Sequence, residues 1–181
     1  MKFEYLIFNG VVVSGPALFG SLNCCYIWNH WKQLVVAIVI PAIPFLLWDV
    51  IVTGAHWNFN PKYVSGIKII NLPIEEILFF ITVPFACLFT WEMIIRRAKE
   101  KTIKLKWLRI FYLLLIVVFT LIFNGFLTWL PVVTYGVEYQ LDFRIITIPV
   151  EDFFYGISLL FMNTSVYSYL VRKNGAINVN Q

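Results

Sequence analysis

The chain has 181 residues, of which 60% are hydrophobic and only 13% are charged, with a formal net charge of +4. Soluble domains carry about a quarter charged residues, and several apolar runs here reach the roughly 20 residues that cross a bilayer. A soluble globular domain is therefore excluded. Because the basic residues cluster at one predicted membrane edge, the positive charge does not indicate a nucleic-acid partner. We predict an all-α integral membrane protein, with residues 1–181 forming a single membrane domain.

Five membrane-spanning helices are the most economical interpretation of the apolar runs. Pro41 and Pro44 lie inside the second run, where neighbouring helices can satisfy the freed carbonyl groups. The loop at 53–72 is too polar to span, and its tryptophan and tyrosine suit the lipid headgroup region. A second loop occupies 130–144. The five predicted helices cover about 5–22, 33–51, 73–95, 107–129 and 145–171.

One strongly basic segment separates the third and fourth predicted helices. Seven lysines and arginines lie between residues 96 and 109, and short loops rich in these residues remain in the cytoplasm. We therefore expect segment 96–109 and the C-terminus on the cytoplasmic side of the cell membrane. A lipid-binding or nucleic-acid-binding patch is the alternative interpretation of this segment.

The chain repeats itself at an offset of 76 residues. Pro-Ile-Glu-Glu at 73–76 recurs as Pro-Val-Glu-Asp at 149–152, each time at the start of an apolar run. We predict a parallel repeat of two-helix units about an axis along the membrane normal, with repeat one at about 33–95 and repeat two at about 107–171. The first helix has no counterpart. The same offset relates Tyr63 to Tyr139 and Lys68 to Arg144.

The two acidic pairs are candidates for chemistry. Proline and acidic residues suit a helix start, but adjacent residues point about 100° apart, so one acid of each pair must face protein or lipid. Placing an acidic side chain at membrane depth costs free energy, so its presence there indicates a functional site. A carboxyl group desolvated beside another has a raised pKa and can act as a general acid. The candidate catalytic residues are Glu75, Glu76, Glu151 and Asp152.

Aromatic residues follow both acidic pairs and could stabilise a cationic intermediate through their π faces. There is no dinucleotide fingerprint and no phosphate loop. His30 and His56 lack metal-ligand spacing, and Asp49 stands alone, whereas a magnesium-dependent prenyl transferase needs clustered aspartates. We therefore expect neither cofactor nor metal. The candidate substrate-binding residues are Phe79, Phe80, Trp91, Phe153, Phe154 and Tyr155.

These motifs together resemble the membrane-embedded, non-flavin lycopene cyclases, which occur as two small subunits or as one fused chain. The resemblance covers most of the chain apart from the tail and the connection at about 92–122. The chain departs from fused relatives in the shorter connection between its halves. A second departure is Ser168, which stands in repeat two at the position where repeat one has Glu92. The motifs that carry it are Trp48-Asp49, 57–63, 73–80, 84–92, 124–128, 131–133 and 144–156.

The resemblance implies a redox-neutral, acid-catalysed cyclisation of the ends of a linear carotenoid, with no cofactor consumed. It implies that Glu75, Glu76, Glu151 and Asp152 form the acid/base set, with Glu75 and Glu151 favoured as the essential pair. The expected partners are a linear carotenoid and membrane lipid; a homodimer or an assembly with other carotenoid-pathway enzymes suits a substrate with two identical ends. The alternatives are a cyclase or hydratase of another polyprenoid, a non-catalytic carotenoid-binding subunit, and a small proton-coupled transporter.

Overall fold

The computed structural model describes residues 3–23, 25–100 and 105–179, which form a helical bundle. Within these ranges, five long helices lie close to their predicted positions, and one short helix occupies the link before the second of them. The helices are α1 (Glu4–Asn23), α2 (Cys25–Asn29), α3 (Trp31–Val52), α4 (Ile74–Glu100), α5 (Leu105–Trp129) and α6 (Val150–Val179).

Three helical segments of the described chain are long and apolar enough to cross a membrane: Trp31–Val52, Ile74–Arg96 and Ile110–Trp129. The apolar part of α1, Glu4–Phe19, is shorter. Large apolar side chains on α3 and α5 face outward, among them Ile51 and Leu114. These features indicate a helical membrane protein, while the count of five spans stays a prediction.

The described chain is mostly helical, as predicted, but its connecting loops also contain short β-strands that the prediction did not include. Polar backbone groups in a loop near the membrane need partners, and here they pair with one another. The pairs are antiparallel: β1 (Trp57–Phe59) with β4 (Val133–Tyr135), β2 (Lys68–Ile69) with β3 (Leu72–Pro73), and β5 (Arg144–Ile145) with β6 (Ile148–Pro149). A 3-10 helix covers Val137–Tyr139.

The last long helix begins at Val150 and not at the predicted residue 145. Arg144 pairs with Pro149, and Ile145 pairs with Ile148, in a hairpin that directly precedes α6. The apolar residues of this hairpin extend the hydrophobic run of the helix, so hydropathy alone placed the boundary too early.

The offset of 76 residues recurs in the positions of the strands. Strand β4 follows β1 at this offset, and the hairpin β5–β6 follows β2–β3 at the same offset. Asn58 pairs with Thr134, which is its own counterpart. Two equivalent strands that pair antiparallel through equivalent residues are related by a local twofold axis. This pairing joins the two loops, from which α4 and α6 begin.

Helix α4 occupies the centre of the bundle. It packs against α1, α3, α5 and α6, and α3 also packs along α6. Its central residues are buried, including Phe85, Leu88 and Trp91. The predicted cytoplasmic segment 96–109 lies partly outside the described residues, which omit 101–104.

Candidate functional site

Glu76 and Asp152 line a common cavity of about 50 Å3 at the end of the bundle where the two loops meet. Glu76 lies in the first turn of α4, and Asp152 lies in the first turn of α6. The second acid of each pair therefore reaches the same space. The other lining residues are Trp57, Phe59, Phe79, Asn124, Leu127, Val133, Tyr135 and Tyr155.

Each of these two carboxyl groups accepts a hydrogen bond from a tyrosine. The Tyr5 hydroxyl of α1 donates to Oε2 of Glu76 at 2.5 Å, and the Tyr135 hydroxyl of β4 donates to Oδ2 of Asp152. Burial and the nearby Asp152 raise the pKa of Tyr135 well above its usual value. The Tyr135 phenol therefore stays protonated at neutral pH and remains a hydrogen-bond donor.

The first acid of each pair contacts the preceding loop. Oε1 of Glu75 accepts the backbone N–H of Ser65 at 2.7 Å, and Oε1 of Glu151 accepts the backbone N–H of Leu141 at 2.6 Å. Both contacts span ten residues and are related by the offset of 76. Neither Glu75 nor Glu151 lines the cavity. The preference for these two as the essential pair stays a prediction, but the geometry favours their neighbours.

The aromatic candidates separate into cavity, core and surface positions. Phe79 and Tyr155 line the cavity. Phe80 is buried behind them, with its ring centroid 6.4 Å from that of Tyr155. Phe153 is buried without lining the cavity, and Phe154 is 70% exposed on the outer surface.

Trp91 is not brought to the cavity. It lies fifteen residues after Glu76 on the same helix, which corresponds to about 22 Å. Its indole N–H donates to the Ser168 hydroxyl at 3.0 Å, and its ring lies 4.5 Å from that of Tyr112. These contacts join α4 to α6 and α5, so the geometry favours a packing role for Trp91.

Asp49 lies behind a wall of the cavity, although the sequence left it isolated. Its side chain is 1% exposed, and its Oδ1 accepts the Trp57 indole N–H at 2.8 Å and the Thr53 hydroxyl at 3.1 Å. Its Oδ2 is buried without a hydrogen-bond partner within the described chain. Trp57 in turn forms a wall of the cavity. An acid inside an apolar helix was itself a signal of function.

Helix α1 supplies further contacts that the repeat could not predict. The Asn9 amide donates to the Glu75 carbonyl oxygen at 3.0 Å and accepts the Thr82 hydroxyl at 2.6 Å. Together with Tyr5, these bonds fix α1 against the first three turns of α4. Because α1 has no counterpart in the second half, a comparison of the two halves could not identify these residues.

Two carboxyl groups, each bonded to a phenol, face an aromatic cavity in a helical membrane protein. This arrangement can donate a proton to a bound apolar molecule and accept one from it, with π faces beside any positive charge that forms. Among the described residues, no three His, Cys, Asp or Glu side chains are arranged to hold a metal ion.

Comparison with known proteins identifies the family. A family model described as lycopene cyclase matches residues 4–94 and again residues 93–170, so the chain belongs to the lycopene cyclase family. A bifunctional lycopene cyclase/phytoene synthase of Aspergillus niger is 34% identical over 68 residues, which cover 34% of this chain and 12% of that protein. The matched stretch is thus a small part of that relative. No solved structure matches the chain.

Proposed function

We propose that this protein catalyses the redox-neutral, acid-catalysed cyclisation of the end groups of a linear carotenoid such as lycopene within the membrane. The observation that carries the proposal is the shared cavity. Glu76 and Asp152 both line it, together with aromatic side chains. Membership of the lycopene cyclase family supports this class of reaction.

The proposed reaction moves one proton in and one proton out. One of the two acids, Glu76 or Asp152, protonates the terminal double bond of the carotenoid and leaves a tertiary carbocation. The electrons of the neighbouring double bond attack this cation, which forms the carbon–carbon bond that closes the ring. The new cation loses a proton to the other carboxylate, which leaves a double bond in the product. No electrons are gained or lost, and the reaction consumes no cofactor.

The surroundings of the acids suit this sequence of steps. Carboxyl groups crowded into a dry site cannot all carry charge at low cost, so one of them holds a proton ready for transfer. The rings of Trp57, Phe79 and Tyr155 line the same space and offer π faces to the cation, each contributing about 0.5–2 kcal/mol. A cavity with five aromatic residues among its ten lining residues also limits the water that would trap the cation.

The chain-level features of the proposal follow from the repeat. We propose five membrane spans, with units at about 33–95 and 107–171 related as a parallel repeat. The basic segment 96–109 and the C-terminus lie in the cytoplasm in this arrangement, and the cavity lies near the opposite face. A homodimer would let two sites act on the two ends of one carotenoid.

Cyclisation in deuterium oxide tests the mechanism. Membranes that contain the protein are incubated with lycopene in normal and in heavy water, and the products are separated and weighed by mass spectrometry. In normal water the cyclic product should have the mass of lycopene, and in heavy water each ring should carry one deuterium. An unlabelled ring would contradict protonation by an exchangeable acid. A product heavier by one water would indicate a hydratase.

A further inference from the structure

A large apolar groove lies beside the acid cavity, between helices α1, α4 and α5. Its volume is about 710 Å3. Glu4 and Thr90 contribute the polar side chains of its lining, which is otherwise apolar. The Thr90 hydroxyl is already bonded to the Ala86 carbonyl oxygen at 2.9 Å. The groove therefore suits a ligand that has no polar groups along its length.

An aromatic partition separates the groove from the acid cavity. Phe8 stacks on Phe126 with ring centroids 5.1 Å apart and an interplanar angle of 9°. Phe8 also lies 6.4 Å from Phe79, nearly parallel to it. Phe8 and Phe126 line the groove, whereas Phe79 lines the cavity. These three rings therefore lie between the groove and the cavity.

The groove runs along most of α1. Its lining on α1 extends from Glu4 to Phe19, fifteen residues apart, which corresponds to about 22 Å of helix. Phe89, Phe119 and Phe123 add flat faces along this path. Flat aromatic faces stack on a planar conjugated chain better than on a kinked saturated one. This feature favours a polyene over a lipid acyl chain.

We propose that the groove binds the polyene chain of the carotenoid while its end group lies beyond the aromatic partition in the acid cavity. This inference rests on the proposed function and adds the subsite that holds the unreacted part of the substrate. The acid cavity is too small for more than an end group, so the rest of a long substrate needs such a path.

Gly15 offers a way to close the groove without disturbing the fold. It lines the groove, and a Cβ atom built there meets nothing within 4 Å. Gly10 is a matched control, because it lies on the same helix, also has open space around its Cβ position, and does not line the groove. Val11 is 66% exposed and lines the groove, so it provides a second closing site.

The test compares Gly15→Phe, Val11→Trp and Gly10→Phe with the unchanged protein in a host that accumulates lycopene. Two quantities are measured at equal protein level: the rings formed, and the carotenoid and phospholipid retained by the protein after purification in detergent. We expect Gly15→Phe and Val11→Trp to lower both ring formation and retained carotenoid by about tenfold or more, because the filled groove cannot take the chain. Gly10→Phe should match the unchanged protein. A short acyclic analogue with the same end group should be cyclised by all four proteins.

Each outcome separates this proposal from the proposed function. If rings form normally and Gly15→Phe behaves as Gly10→Phe does, the groove assignment is overturned while the cyclase assignment stands. If the unchanged protein forms no rings, but Gly15→Phe and Val11→Trp retain less lycopene than it does, the groove assignment stands and the cyclase assignment is overturned. A loss of phospholipid with unchanged carotenoid would assign the groove to an acyl chain instead. If Gly15→Phe fails to accumulate, the comparison of Val11→Trp with Gly10→Phe decides whether the groove binds the chain.

Discussion

At the scale of single residues, neighbouring acids in one sequence motif differ in what their oxygen atoms contact. Glu75 and Glu151 accept backbone N–H groups of the preceding loops, whereas Glu76 and Asp152 accept tyrosine hydroxyls at the cavity. The 100° step between adjacent helical residues produces this division. One acid of each pair thus contacts the loop, and we propose that the other, at the cavity, exchanges a proton.

The hydrogen bond from Tyr135 to Asp152 can be tested by Tyr135→Phe. The raised pKa of Tyr135 keeps it a donor at neutral pH, and a hydrogen bond to a charged group contributes about 1.5–3 kcal/mol. We expect kcat to fall by about 10- to 100-fold in an assay of ring formation from lycopene. Tyr139→Phe is the control, because its ring stacks on His56 at the surface. Equal rates in both variants would show that the bond does not assist the reaction.

Asp49 is predicted to act through Trp57. In Asp49→Asn the amide oxygen can still accept the Trp57 and Thr53 hydrogen bonds, whereas Asp49→Ala leaves the buried indole N–H unpaired, at a cost of about 1–3 kcal/mol. We therefore expect Asp49→Asn to keep most of the cyclisation rate and Asp49→Ala to lose about tenfold or more. If both variants lose activity equally at normal protein level, Asp49 contributes its charge and not only its position.

At the scale of secondary structure, the two hairpins share an unusual turn. Ile70 and Ile146 have φ angles of 61° and 63°, and their side chains are more than 80% exposed. Positive φ is costly for a β-branched residue. The same strain at equivalent positions shows that both halves use one hairpin design before the helix that carries the acids.

Replacing Ile70 with asparagine should relieve this strain. Asparagine tolerates positive φ in two-residue turns, so we expect a stabilisation of about 1 kcal/mol, seen as a higher unfolding temperature in detergent. Ile69→Asn is the control, since this exposed strand residue has no positive φ. A decrease of similar size in the unfolding temperature of both variants would show that the apolar contacts of isoleucine contribute more to stability than relief of backbone strain does.

Much of the element pattern could be predicted from hydropathy, but the loops could not. The long helices follow from apolar runs between polar links, and the acidic pairs follow from the repeat. The strand pairing of Asn58 with Thr134 joins residues 76 positions apart, a tertiary contact that no local pattern encodes. For the same reason the sequence could name Asp49 but could not show its bond to Trp57, or that Trp91 lies far from both acids.

At the scale of the whole molecule, α1 makes an otherwise symmetric arrangement asymmetric. The acid of the first half is bonded to Tyr5 of α1, while the acid of the second half is bonded to Tyr135 of a loop strand. The groove beside α1 likewise has no equivalent position in the repeat, because the helix itself has none. A substrate end in the cavity would therefore meet two acids that differ in their tyrosine partners.

The proposed orientation can be tested with single cysteines. Lys62 and Lys173 are exposed at opposite ends of the proposed topology, and the three native cysteines are first replaced by alanine. In intact cells a membrane-impermeant thiol reagent should label Lys62→Cys and spare Lys173→Cys, with both labelled after lysis. Labelling of Lys173→Cys alone would reverse the topology. Labelling of both Lys62→Cys and Lys173→Cys in intact cells would contradict the proposed count of five spans.

The most direct measurement compares ring formation from lycopene by Glu76→Gln, Asp152→Asn, Glu75→Gln and Glu151→Gln at equal protein level. Loss of a general acid or base should lower the rate by about 10²- to 10⁴-fold in the first two variants. The last two should stay within about tenfold of the unchanged protein, because a glutamine oxygen still accepts the loop N–H group. The opposite ranking would place the chemistry on Glu75 and Glu151 and contradict the cavity assignment.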